Sequence, residues 1–127
     1  MEPQTIALFG EAEKGDFCSA YFCNSLVQLA DYFGNAPINS NGLYFAVQAL
    51  LYRHNLIFFR VQEEGYSLQD YHYGMNLLFS QNQISKISAI CMPGVGNSEI
   101  IRATTTLCVI YHSIFITTEA DFYDYLT

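Results

Sequence analysis

Ile84-Ser85-Lys86-Ile87-Ser88-Ala89-Ile90-Cys91-Met92-Pro93-Gly94-Val95-Gly96-Asn97-Ser98-Glu99 runs from an apolar, β-favouring segment through two glycines into a polar helix start. Ile84–Met92 reads as a strand, Pro93–Ser98 as a turn, and Glu99–Tyr111 as the helix that follows. The same strand, loop and helix order recurs on both sides. Thr5–Phe9 is a short apolar run ending at Gly10, which predicts the first and central strand. Asp16–Phe33 carries Phe17, Ala20, Tyr21, Leu26, Leu29, Ala30 and Phe33 near helical spacing, with Asp16 placed to cap and Gly34 to end a helix. Asn35–Asn41 reads as a loop with room for a vestigial strand, and Gly42 to Arg53 as a second helix with Leu43, Val47, Leu50 and Leu51 on its buried face.

His54–Val61 is a continuous apolar and β-favouring run and predicts a second buried strand. Ser67 is placed to cap a helix reaching Phe79, with Tyr71, Met75 and Leu78 on one side. Ser113–Thr117 predicts a further strand and Phe122–Leu126 a short helical tail. Strands that are solidly apolar and alternate with helices indicate a parallel sheet covered on both faces. The expected fold class is therefore α/β: a small three-layer α/β/α sandwich, doubly wound, with a mostly parallel sheet of four or five strands in one domain over 1–127.

Composition narrows the function classes. Of 127 residues, 51% are hydrophobic, enough for one well-formed core. The longest apolar runs fall far short of a membrane span, and no basic stretch leads into an apolar core near Met1, so the expectation is a cytoplasmic protein with no membrane partner. Four cysteines and three scattered histidines lack paired spacing; they suggest reduced core thiols, with neither a zinc site nor a disulfide framework. Five basic against 12 acidic residues give a net charge of −7, which repels polyphosphate chains and excludes nucleic acid as the expected partner. Aromatic residues make up 16% and charged residues only 13%, a mixture that predicts self-association, as a homo-oligomer or within a larger assembly.

In a parallel sheet, ligands bind beyond the carboxyl ends of the strands. The loops expected there are Gly10–Gly15, Gln62–Ser67, Pro93–Ser98 and Thr117–Asp121. With the residues just after them they hold Glu11, Glu13, Asp16, Glu63, Glu64, Glu99, Glu119 and Asp121, eight of the 12 acids. Acids favour helix N-termini, and those N-termini share this edge; carboxylates around glycine loops also hold divalent metals, grip ribose hydroxyls or act as acid and base. Glycines between a strand and a helix let backbone amides approach a phosphate, and equally serve tight turns. Lys14, the cation in these loops, either bridges a ligand phosphate or neutralises Glu11 and Glu13. Arg60 suits a local carboxylate, Arg102 a solvated helix face, and His72 a structural role.

Met92-Pro93-Gly94-Val95-Gly96-Asn97-Ser98-Glu99 resembles the Pro-Gly-Gly-x-Gly-Thr-x-x-Glu motif of the LONELY GUY-type proteins, once called lysine-decarboxylase-like, and of the wider SLOG group of Rossmann-like nucleotide binders. Thr5–Gly10 is similar to that family's first strand and turn. Ser40-Asn41-Gly42-Leu43-Tyr44-Phe45-Ala46-Val47 is similar to its Gly-Gly-x-x-Gly-Leu-Met-x-x-Val helix start, and Phe115–Leu126 to its last strand and Gly-Phe-Tyr-Asp-x-Leu ending. The resemblance implies a Rossmann-like fold and cleavage of nucleoside 5′-monophosphates at the N-glycosidic bond, with Glu99 as the catalytic acid. The family's Arg-Lys pair has no counterpart here, because the corresponding helix reads Asp70-Tyr71-His72-Tyr73-Gly74-Met75.

The expected function is binding of a nucleotide or nucleotide-derived small molecule, as a sensor or binding protein, with Gly10, Glu11, Lys14, Gly15, Glu63, Gly94, Gly96, Asn97 and Ser98 as ligand-binding residues and no metal ligands or named cofactor. An adaptor assembling through its aromatic surface is the second expectation. The third is an enzyme acting at a nucleotide N-glycosidic bond through Glu99 or Glu11, with Lys14, Arg102 or a second subunit supplying the cation.

Overall fold

The computed structural model describes residues 4–80 and 87–127. Thr5–Gly10 forms β1, and its Ile6, Ala7, Leu8 and Phe9 have no exposed surface, as befits a strand covered on both faces. It pairs in parallel with β3 (Asn55–Arg60), Thr5 opposite Asn55 through Gly10 opposite Arg60. On its other side it pairs with β4 (Ile87–Cys91), Leu8 lying opposite Cys91. β5 (Ile114–Ile116) adds in parallel to β4, and β2 (Ala20–Cys23) runs antiparallel to β3. The order β2-β3-β1-β4-β5 makes a five-stranded, mostly parallel sheet.

The two-residue period of the strands sorts the core into two layers. Ile6, Leu8, Leu56, Phe58 and Cys91 face α1 (Leu26–Phe33), α2 (Gly42–Leu51) and α5 (Glu119–Leu126), where Phe33, Phe45 and Phe122 are buried against them. The Phe45 and Phe122 rings stack at 4.7 Å and tie α2 to α5. Ala7, Phe9, Ile57, Phe59 and Ile90 face α3 (Leu68–Ser80) and α4 (Ser98–Tyr111) through Tyr71, Met75 and Ile100. Each such buried Phe, Leu or Ile contributes about 1.5–3 kcal/mol. The result is the expected α/β/α sandwich, and none of its described helices is long and apolar enough to cross a membrane.

The helix expected over Asp16–Phe33 is not continuous. Asp16 does not cap it: its N–H donates to the Tyr21 hydroxyl, Cys18 takes a left-handed φ of 58°, and α1 starts only at Leu26. Ala20-Tyr21-Phe22-Cys23 then extends as the edge strand β2, because these β-favouring side chains find β3 beside them and Tyr21 packs edge-on against Phe33 at 4.9 Å. The start signal of α1 lies later: Ser25 accepts from Gln28 N–H at 3.2 Å while Gln28 Oε1 accepts from Asn24 N–H at 2.8 Å. Residues 35–41 form turn and loop without a strand. Ser67 turns its hydroxyl to the Glu63 N–H and C=O instead of capping α3. The strand expected from Ile84 is seen from Ile87, and Ile84–Lys86 lie outside the described residues.

Of the four cysteines expected in the core, Cys23, Cys91 and Cys108 are buried, whereas Cys18 is exposed. Burial pushes the Cys23 and Cys108 thiols up to about 11. Burial, with the Glu64 carboxylate adding to it, pushes Cys91 well above its ordinary range.

Candidate functional site

From β1 the chain moves to β3 on one side, then crosses through α3 to β4 and β5 on the other. The winding therefore reverses between β1 and β4, and the loops beyond their carboxyl ends flank the crevice where such folds take ligands. The two glycine loops singled out from the sequence do stand at this edge. They are built differently.

Around β1 the backbone turn is clasped by Glu64. Gly10 lies against Gly42, so that a Cβ on Gly10 would come within 2.6 Å of the Gly42 Cα. Across this contact Glu64 Oε2 accepts from the N–H groups of Glu11 and Gly42, both at 2.9 Å, and Glu64 Oε1 accepts from Asn41 N–H at 2.8 Å. Glu11 Oε2 reciprocates by accepting from Glu64 N–H at 2.9 Å. Asn41 makes no side-chain cap on α2. Glu64 caps it from the β3–α3 loop, placing a carboxylate on the positive end of the helix dipole.

The rest of the first loop is fastened to the protein as well. Arg60 donates through Nη1 to Gly15 O at 2.6 Å and through Nη2 to Ala12 O at 3.0 Å, with its guanidinium 4.2 Å from the Phe17 ring centre. It holds carbonyls and a ring where a carboxylate partner was expected. Gly15 needs its φ of 108°, and a Cβ there would strike the Phe33 ring. Glu13 accepts from Asn35 N–H at 3.3 Å. Lys14 is exposed and forms no ion pair with a described residue, so it does not neutralise Glu11 or Glu13.

Around β4 the loop is open. Gly94 takes a φ of 79° and donates to Thr117 O at 3.3 Å; Asn97 Oδ1 caps α4 by accepting from Glu99 N–H at 3.0 Å and Ile100 N–H at 3.1 Å. The N–H groups of Gly96, Asn97 and Ser98 donate to no described residue. Gly96 has no left-handed φ, and a Cβ built on it meets nothing within 4 Å. Neither backbone conformation nor packing therefore requires glycine at position 96. Above it lies a cleft of about 350 Å³ lined by Gly65, Tyr66, Leu68, Gly94, Gly96 and Asn97, small but within the range of ligand sites.

The far wall of the cleft is fixed from below. Gly65 has a φ of 87°, and a Cβ there would fall 2.5 Å from Gly94 O, so the β3–α3 and β4–α4 loops touch. The buried Tyr71 hydroxyl accepts from Gly65 N–H at 2.7 Å, and burial holds that phenol above its ordinary pKa. Asp70, buried at the start of α3, accepts from Gln62 N–H at 2.8 Å. Tyr66, 73% exposed, presents its ring at the cleft rim.

Glu99 stands outside the cleft lining. Its side chain is 74% exposed and reaches His72 Nε2 at 3.5 Å, a surface pair between α4 and α3. Glu63 and Ser98 are exposed, Ser98 as the first residue of α4, and neither lines the cleft. The described residues hold no cluster of three or more His, Cys, Asp or Glu side chains able to bind a metal ion. Sequence reasoning placed Glu64 among the acids of this edge but assigned it no role. Its partners lie 22 to 53 positions away, so only the sheet order brings them together. No protein-family model, curated protein or solved structure matches this chain.

Proposed function

We propose that the protein is a small-molecule binding module whose cleft between the β3–α3 and β4–α4 loops takes an anionic, nucleotide-like ligand. One observation carries this reading: Gly96 is a glycine that the fold does not need, at the point where open space meets three unengaged amides and the N-terminus of α4. Such an arrangement suits a phosphate held by backbone dipoles, and it needs no cationic side chain. Tyr66 offers a ring against which a base can stack. A thermal-shift panel of nucleoside mono-, di- and triphosphates, cyclic nucleotides, ADP-ribose and NAD, with and without Mg²⁺, tests it. The expected outcome is stabilisation by at least one compound, about 2.7 kcal/mol at a hundredfold excess over Kd, and its loss in Gly96→Val.

An adaptor role is the second reading, supported by a different surface. Leu26 and Tyr44 are exposed at an apolar groove of about 480 Å³ between α1 and α2, whose floor includes Leu29 and Leu43. Assembly through this face would show as concentration-dependent sedimentation that Leu26→Glu abolishes. The N-glycosidic-bond hydrolase reading draws on Glu99 and His72 and ranks third, because Arg60 is held by Ala12 and Gly15 and no arginine or lysine lines the cleft.

A further inference from the structure

We infer that the apolar groove between α1 and α2 is a self-association face, filled in solution by a second copy of this chain with Ile38 as its anchor. The inference rests on the adaptor reading and names the occupant of that face. Beyond the groove-lining Leu26 and Tyr44, the apolar surface runs on through the exposed Val27, next to Leu26, and Leu51, in one helical row with Tyr44. Ile38 is 91% exposed, two residues past Ala36 at the end of the groove where α1 passes to α2. These five side chains leave roughly 600 Å² uncovered, at the upper end of what a monomer shows in one patch and near the about 800 Å² that each partner gives a standard interface.

The turn that carries Ile38 is fastened. Ser40 donates to Pro37 O through its N–H at 3.2 Å and its hydroxyl at 2.6 Å, and Asn39 takes the left-handed φ of 65° that completes the bend. An apolar side chain held out on a rigid turn loses little freedom on binding. A two-fold interface needs knob and hole in one patch, and here the groove of about 480 Å³ accompanies the Ile38 knob. α1 starts where β2 ends and α2 ends where β3 begins, so Leu26 and Leu51 share the groove end opposite to Ile38. Copies laid antiparallel set each Ile38 over the other's Leu26 and Leu51. Two molecules of net charge −7 repel, so their contact must use a surface that carries little of that charge. Asp31 is the only charged residue from Leu26 to Leu51, and a strongly charged partner finds little here to pair with. The nucleotide cleft lies toward α3 and α4, on the other layer, and stays open in such a dimer.

Sedimentation equilibrium of the full chain, from low micromolar to near-millimolar protein, tests the inference. The wild type should pass reversibly from monomer to dimer and go no further, because a two-fold contact uses up the face. Ile38→Asp should raise the dissociation constant at least about tenfold, with Tm at the lowest concentration level because the side chain packs on almost nothing within its own chain. Val109→Asp, at an exposed position of α4, should leave the dimer intact. Rising salt should tighten the dimer by screening two like-charged copies. A wild type that stays monomeric throughout overturns the inference, as does a dimer that survives Ile38→Asp, is lost in folded Val109→Asp or is dissociated by salt. With a monomeric wild type, the adaptor reading is decided separately, by whether a different protein forms a complex that Leu26→Glu breaks.

Discussion

Gly10 ends β1 and Gly96 lies in the loop after β4, at the same edge of the sheet, and their substitutions separate structural from functional glycine. Gly10→Ala forces a methyl toward the Gly42 Cα at 2.6 Å and should cost about 1–3 kcal/mol in denaturant unfolding, without any ligand present. Gly96→Ala adds a methyl into open space, so the unfolding free energy should stay level or rise by about 0.5 kcal/mol, while ligand-induced stabilisation falls. The sequence shows both as loop-forming glycines beyond an apolar strand and does not show which of them is packed. The difference lies in Gly42, which approaches Gly10 only once α2 has folded back across β1. Glu64→Ala removes three charge-assisted bonds and the cap of α2 together and should cost roughly 2–3 kcal/mol. Glu63→Ala, at the adjacent exposed carboxylate, should cost almost nothing by the same assay.

At the scale of elements, β1 and β3 were legible because fully buried parallel strands are written as unbroken apolar runs, and α4 because its glycine turn and Glu99 mark its start. β2 was not, because Phe17, Ala20 and Tyr21 match helical spacing although a turn at Cys18 parts Phe17 from the other two. A four-residue edge strand has too few positions for its period to outweigh such a coincidence, and its pairing with β3 is a tertiary fact. The capping pair Ser25 and Gln28 was the local signal for α1; Ser25→Ala should cost about 1 kcal/mol, and Asp16→Ala, at the position read as the cap, should leave stability unchanged in the same unfolding assay. The candidate site was legible as a place, the carboxyl edge with its two glycine loops. Which loop is open was not, since that depends on Glu64, Arg60 and Gly65 meeting partners far away in sequence.

The molecule as a whole should be most stable between two limits set by a half-buried histidine and two buried thiols. Burial lowers the His54 pKa beneath its ordinary 6.5, against a smaller opposing bond to the Gln4 backbone, so the unfolded chain takes up a proton first and stability falls as pH drops below 6.5. Cys23 and Cys108, raised from 9.0 to about 11, stay protonated in the fold after the unfolded chain has lost its thiol protons, so stability falls again as pH climbs from 9 toward 11. Urea midpoints across pH should trace that plateau, and at pH 8 a thiol reagent should label the native protein at Cys18 alone. A net charge of −7 adds a salt effect: rising ionic strength should tighten binding of an anion that backbone amides hold without a cation. Calorimetric titration of a stabilising nucleoside monophosphate into wild type, Gly96→Ala and Gly96→Val is the most direct test. A saturable one-to-one isotherm in the wild type, weakened in Gly96→Ala and lost in a fully folded Gly96→Val, is the result expected of a ligand seated on the β4–α4 loop. Equal affinity in all three proteins would contradict it.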